Sequence, residues 1–259
     1  MIITLTTDFG ESDHFAGVMK GVILGIAPRA RLVDITHQIQ PFEIIEGAYE
    51  IAQAYRHFPK RTVHVVVVDP GVGTARRPIL AEAAGQYFIA PDNGVLSMIF
   101  QREQHKVRAI TNRKYWLKSV SKTFHGRDVF APSAAHLAAG ATAASFGKTI
   151  EDYVKLASVQ PYRMSRHTWT GTVLKVDRFG NLITNLHIGE FQAIRTNSFE
   201  ISAGLQTIRR LAMNFGEGEP GEIFVIEGST GYLEIAMNQQ SAAKHLGCGA
   251  GAPVDLTLF

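Results

Sequence analysis

Apolar and polar positions alternate along the first half of the chain in blocks that switch between two periods. Residues 2–7 predict a short strand that ends at Asp8. From Phe15 to Ile26 the apolar positions Phe15, Val18, Met19, Val22, Ile23 and Ile26 recur at three- and four-residue intervals, the period of an amphipathic helix, and Pro28 ends it. Arg31–Ile35 predicts a second strand, about Glu43–His57 a second helix, and the run VHVVVV from Val63 a third strand. Consecutive valines suit a strand buried on both faces, because β-branched side chains pack well on a pleated surface. Tyr87–Ala90 predicts a further strand, followed by the turn residues Pro91-Asp92-Asn93-Gly94 and the apolar Val95–Phe100. The alanine-rich stretch Val129–Ala144 predicts a helix capped by Asp128, with Pro132 tolerated in its first turn. Strands alternating with helices in this way predict βαβ units, hence an α/β domain with a mostly parallel sheet and right-handed crossovers.

The pattern changes near residue 158. Val159–His167 has no periodicity and contains a proline, so residues 159–168 are expected to be a linker. Beyond it lie short β-rich runs punctuated by glycine: Gly171–Val176, Leu182–Leu186, Ser198–Ile201, Ile223–Ile226 and Tyr232–Ile235. Such spacing predicts a smaller all-β, barrel-like domain over 169–259, after an α/β domain over 1–158. Sites often lie between domains, so residues of both halves are candidates for one pocket.

Composition narrows the functional classes. No run approaches the roughly 18 apolar residues that a membrane helix needs, and Met1 leads directly into a strand-like segment rather than a signal peptide. One cysteine, Cys248, excludes an intrachain disulfide and a cysteine metal cage, and suits the cytoplasm. The net charge of +3 comes from dispersed basic residues with no cluster, which argues against nucleic acid as a partner.

The chemistry-bearing residues are read by elimination. The ten histidines are scattered and no H-E-x-x-H, C-x-x-C or EF-hand spacing occurs, so no metal is expected, although Asp8, His37, Asp69 and His125 could converge at strand ends. The PGVGT loop after Asp69 lacks both phosphate-binding glycine patterns, and an acid at its mouth disfavours an anion. No G-x-S-x-G elbow supports a protein nucleophile. An acid, an arginine and a histidine remain: Asp69, Arg76 and His125. Such a set can orient and polarise a water molecule, since a carboxylate accepts its proton while cationic donors stabilise charge on oxygen.

Seven ordered motifs carry a resemblance: LTTDFG at 5–10, AGVMKGVI at 16–23, VDITHQIQP at 33–41, VDPGVGTARR at 68–77, PDNG at 91–94, TFHGRDVFAP at 123–132 and VDRFGNLITN at 176–185. Together they resemble the S-adenosyl-L-methionine (SAM) hydroxide adenosyltransferases, or SAM hydrolases, from residue 3 to about residue 255. The resemblance implies attack of water or hydroxide on C5′ of the SAM ribose, giving adenosine and L-methionine. SAM is then substrate, and no cofactor is implied. It assigns water activation to Asp69, Arg76 and His125, the ribose hydroxyls to Asp8, ribose packing to Phe42, the methionine ammonium to Asp177, the adenine edge to Asn181, the methionine end to Ser229, and a further substrate contact to Asn238. Gly228-Ser229-Thr230 and Asn238-Gln239-Gln240 depart from the usual pattern at the last two. A homotrimer is implied, with pockets between one subunit's N-terminal domain and a neighbour's C-terminal domain. The related SAM fluorinases and chlorinases lack the equivalents of Asp69 and His125, which favours water over halide. The alternatives are a SAM halogenase using chloride and a SAM- or adenosine-binding module with little catalysis.

Overall fold

The computed structural model describes the backbone of residues 1–259 and every side chain except that of Ser158. The chain divides into two compact units, Met1–Leu156 and Ala157–Phe259. The first contains β1 (Ile2–Thr7), α1 (Phe15–Ile26), β2 (Arg31–Thr36), α2 (Ile44–Ala54), β3 (Val63–Val67), β4 (Pro78–Ala83), β5 (Gln86–Pro91), α3 (Ser97–Arg102), β6 (His105–Ala109) and α4 (Ala131–Ala138). Its six strands form one sheet in the order β2-β1-β3-β5-β4-β6.

The valine-rich strand is central, as its composition predicts, and all five of its residues are buried. Alternation sends Val63, Val65 and Val67 into a core with Ile3, Leu5, Met19, Ile23, Phe130 and Ala134, so that α1 and α4 cover one face. The sheet is mixed, not wholly parallel, because β4 alone runs against the other five strands. β2/β1, β1/β3 and β3/β5 pair in parallel, whereas β4 pairs antiparallel with both β5 and β6. The strand that breaks the parallel order, β4, carries no strong strand pattern in its sequence PILAEA. It joins β5 through a two-residue turn, Ala84-Gly85, in which both residues have positive φ. That geometry matches the twist of a hairpin, but Ala-Gly lacks the asparagine or aspartate that usually announces it.

A correction concerns Asp128. The helix does not begin behind it as a cap; a turn of π-helix over Gly126–Phe130 precedes α4 and includes it. Pro132 explains the wider turn. It has no N–H to give the carbonyl of residue 128, and that carbonyl instead accepts from Leu117 N at 2.9 Å. The helix also stops earlier than the alanine content suggests, at Ala138, before Gly140 at φ 111°.

On the other face of β3, His64 is fully buried between Thr4 Oγ1 at 2.7 Å and Gln86 Oε1 at 3.2 Å, and stacks on Phe88. Burial, opposed by the Gln86 bond, pushes the imidazole from the ordinary 6.5 down to about 4. The neutral ring therefore favours the fold at pH above the unfolded value, and that contribution, about 3 kcal/mol, fades as pH falls from 6.5 towards 4. Urea unfolding at about pH 7 and about pH 4.5 is expected to show this loss in the native protein and a smaller one in His64→Gln. Equal losses in both proteins would assign the acid sensitivity elsewhere.

The second unit contains β7 (Tyr162–Arg163), β8 (Thr168–Val176), β9 (Leu182–His187), β10 (Phe199–Ala203), β11 (Gln206–Ile208), β12 (Leu211–Ala212), β13 (Ile223–Glu227), β14 (Tyr232–Met237), α5 (Ala242–Leu246) and β15 (Pro253–Leu258). It is neither all-β nor a closed barrel. The strands form one curled sheet in the order β11-β10-β15-β8-β9-β14-β13-β12, with β7 paired to β8, and no pairing joins β11 to β12 among the described residues. The stretch expected as a linker thus contributes β7. The core lies on the face of Val173, Leu186, Leu233, Ile235 and Val254. Among the described residues no helix is long and apolar enough to cross a membrane.

Candidate active site

Asp69 stands two residues beyond the end of β3, and the loop that follows returns Arg76 to it. Val72 N donates to Asp69 O at 3.2 Å, and Thr74 donates from both N and Oγ1 to Gly71 O. Gly73 makes the loop possible. Its φ is +77°, and a Cβ there would overlap the backbone carbonyl oxygen of Lys122. Only glycine accepts both conditions without strain.

Arg76 meets Asp69 in two parallel bonds, Nε to Oδ1 at 2.9 Å and Nη2 to Oδ2. Both side chains are buried, and the guanidinium lies 5.1 Å above the Phe130 ring. Its Nη2 also faces His125 Nδ1 at 2.9 Å. A guanidinium only donates, so Nδ1 accepts and the imidazole carries its proton on Nε2. Burial and then the neighbouring Arg76 charge lower the His125 pKa, which keeps this neutral form. Three residues far apart in sequence thus form one hydrogen-bonded cluster. The buried Arg76 Nη1 has no hydrogen-bond partner among the described residues and leaves both of its N–H groups uncommitted.

Braces on both sides hold the cluster. Asn93 Nδ2 donates to Val68 O at 2.8 Å, immediately before Asp69. Immediately after Arg76, Arg77 donates to the buried Asp92 from Nε at 3.0 Å and from Nη2 at 2.7 Å, and to Asp152 at 3.0 Å. The PDNG turn therefore fixes both ends of the Asp69 loop. His125 is held separately: Ser121 Oγ accepts from Phe124 N, while Asp128 Oδ2 accepts from Ser121 N and bonds Arg127.

A cavity of about 120 Å³ opens beside the cluster, lined by Asp69, His125, Val72, Phe9, Phe15 and Phe124. The three phenylalanines pack edge-on with centroids 5.1–5.8 Å apart. Sequence reasoning missed this aromatic wall, although Phe9 and Phe124 each stand beside a residue it singled out. Asp8, at the end of β1, accepts from Phe42 N at 3.0 Å. Burial raises its pKa, that N–H opposes the shift, and the Asp69 charge adds to it, so the two carboxylates are electrostatic neighbours. Phe42 has φ 74° and a side chain 70% exposed. His37 is not part of this cluster; it bonds Thr7 Oγ1 at 2.8 Å and faces Asp34.

In the second unit, Asp177 closes a tight turn by accepting from Phe179 N at 2.8 Å, Asn181 N at 2.9 Å and Asn181 Nδ2 at 2.9 Å. Asn181 and Asn238 line one cavity of about 500 Å³ with Phe179, Phe215, Met237 and Ser241. Phe179 and Phe215 are both exposed at its mouth, which sequence periodicity does not reveal. Ser229 lies exposed in the β13–β14 turn, outside that cavity's lining. Among the described residues no group of three or more histidine, cysteine or acidic side chains could hold a metal ion.

Residues 3–147 match the model of the SAM hydroxide adenosyltransferase N-terminal domain, and residues 171–255 that of its C-terminal domain. An (R)-S-adenosyl-L-methionine hydrolase of Salinispora tropica is 37% identical, over 98% of this chain and 97% of its own. A fluorinase of Actinoplanes sp. is 29% identical, over 99% of this chain and 97% of its own. Among solved structures, an uncharacterized conserved protein from Thermotoga maritima superposes with a TM-score of 0.90 at 37% identity, covering 99% of this chain and all of that one.

Proposed function

Because the chain belongs to the SAM hydroxide adenosyltransferase family, we infer that it is a SAM hydrolase, converting SAM to adenosine and L-methionine by attack of water or hydroxide on ribose C5′. The observation that carries the mechanism is the buried Asp69–Arg76–His125 cluster beside a small aromatic-walled cavity. The sulfonium leaves as a neutral thioether, so the substrate brings its own leaving group. The protein has only to hold water, C5′ and sulfur in line, an arrangement that can lower a barrier by about 7–11 kcal/mol in favourable cases. Asp69 is the proton acceptor in this reading: Arg76 has only donors, and His125 offers Nε2–H rather than a lone pair. The free Arg76 donor stabilises charge on the attacking oxygen.

The remaining roles rest on the family resemblance together with local chemistry. Asp8, acceptor-only when ionised, suits two ribose hydroxyls, with Phe42 packing nearby. Asn181 and Asn238, in a cavity with two exposed phenylalanines, suit an adenine ring. Asp177 and Ser229 suit the amino-acid end. A homotrimer is proposed on the resemblance, and a cytoplasmic location on the free Cys248.

Halide as nucleophile is disfavoured, since an anion beside Asp69 meets like charge at short range. Incubation with SAM in ¹⁸O-labelled water containing sodium chloride is expected to yield adenosine and methionine in equal amounts, with the label in the 5′-hydroxyl. Recovery of 5′-chloro-5′-deoxyadenosine would assign halogenation, and recovery of intact SAM a binding module.

A further inference from the structure

We propose that Glu234 acts with Asp177 as the paired counter-charge that holds the α-ammonium group of the substrate. The inference rests on the SAM reading above and names a residue that the family motifs leave without a role. Glu234 lies in the middle of β14, opposite Ile226 on β13 and Ile183 on β9. Its neighbours Leu233 and Ile235 enter the core, so its side chain leaves by the other face of the sheet. It is only 9% exposed, and its carboxyl has no hydrogen-bond partner among the described residues. A carboxylate this poorly hydrated is stabilised by a cationic donor brought beside it.

Two contacts locate what it faces. A Cβ on Gly228 would overlap Glu234 Oε1, so the carboxyl lies against the backbone of the turn that presents Ser229. Asp177 is its charged neighbour. Burial, and then the Asp177 charge, push Glu234 up to about 7, as happens when two acids share a site without a cation. Lys175 occupies the same cross-strand row on the far side of Ile183.

Asp177 alone is a poor ammonium receptor. Two carboxylate oxygens offer about four acceptor positions, and the turn to Asn181 already occupies three of them. An ammonium group has three donors and no acceptor. With Glu234 added, the site supplies the missing acceptors, and a cation placed between the two acids removes their mutual repulsion. Ser229, exposed and next in the chain to Gly228, suits the carboxylate of the same amino-acid group. The ligand class is therefore an α-amino acid attached to a sulfonium nucleoside, read at its ammonium end.

The test compares SAM with adenosine, which lacks that end, in the full-length protein. Glu234→Gln is expected to raise the KM for SAM about 10- to 100-fold, the scale of a lost hydrogen bond to a charged group. It is expected to leave kcat within about threefold and the Kd for adenosine, measured by calorimetry, within about twofold. Glu234→Asp, which keeps the charge but retracts it, is expected to fall between the two. An unchanged KM in both variants overturns the proposal, and so does a parallel weakening of SAM and adenosine, which marks a merely structural role. Failure of the native protein to hydrolyse SAM overturns the underlying functional reading, and this proposal with it.

Discussion

Asp69→Asn is expected to lower kcat for SAM hydrolysis by about 10²- to 10⁴-fold, the range typical of losing a general base. The substitution changes almost no volume. It leaves one carbonyl oxygen for Arg76 and turns an amide N–H₂ towards a guanidinium that itself only donates, so the bidentate contact is lost along with the negative charge. The small cavity keeps its walls, and the cavity lined by Asn181 and Asn238 is untouched. Adenosine affinity is therefore expected to remain within a few-fold. Single-turnover rates with saturating SAM, paired with adenosine calorimetry, separate the two quantities. A kcat within about threefold of the native value would remove Asp69 from the chemistry. A loss of adenosine binding equal to the loss of rate would show that the carboxylate organises the fold of the site instead.

Gly73→Ala is expected to have the next largest effect, although residue 73 touches no reacting atom. The left-handed backbone there costs an alanine about 1 kcal/mol, and its methyl group would occupy the position of the Lys122 carbonyl oxygen. Backbone cannot swing aside as a side chain can, so the loop that carries Asp69 and Arg76 must separate from the segment that carries His125. A displacement of about 1 Å in such a constellation can cost about 100-fold in rate. The expected result is a fall of that order in kcat together with a loss of at least about 2 kcal/mol in urea unfolding. Gly71→Ala is the comparison. Its Cβ would meet Arg76 Cγ at 3.4 Å, an ordinary contact, and only a small change in stability is expected. Equal effects at both positions would mean that the loop answers to any added methyl and not to the close approach at Lys122.

The parts of this architecture that were legible in the sequence were those that local periodicity encodes. β3 declares itself through its valines and α1 through its spacing, and the order of strand, acid and glycine loop places Asp69 at a strand end. The antiparallel part of the first sheet was not legible, because β4 carries alanine and glutamate where a strand usually shows branched residues, and the Ala84-Gly85 turn lacks the common hairpin signature. The wide turn before α4 depends on where a carbonyl freed by Pro132 finds a donor, and that donor, Leu117, lies outside any local window. The openness of the second sheet depends on β11 and β12 failing to pair, which no single strand sequence reveals.

The site residues divide along the same line. Asp69, Arg76 and His125 could be nominated from residue type and position, but the tautomer of His125 follows only from the guanidinium that faces it. Asp177 could be nominated too, yet its engagement in three turn bonds could not. Glu234 gave no sign at all, since a glutamate in an alternating strand reads as an outward-facing solvent contact until burial is known.

Arg76 and Arg77 are adjacent and turn to different acids, one to Asp69 and the other to Asp92 and Asp152. The dipeptide works as a rivet at the start of an interior strand: one head holds the Asp69 cluster, and the other clamps a turn and a terminal segment of the same unit. Heating is therefore expected to end the activity only when the first unit itself unfolds, so that surviving activity in a heated sample and the folded fraction seen by circular dichroism fall together.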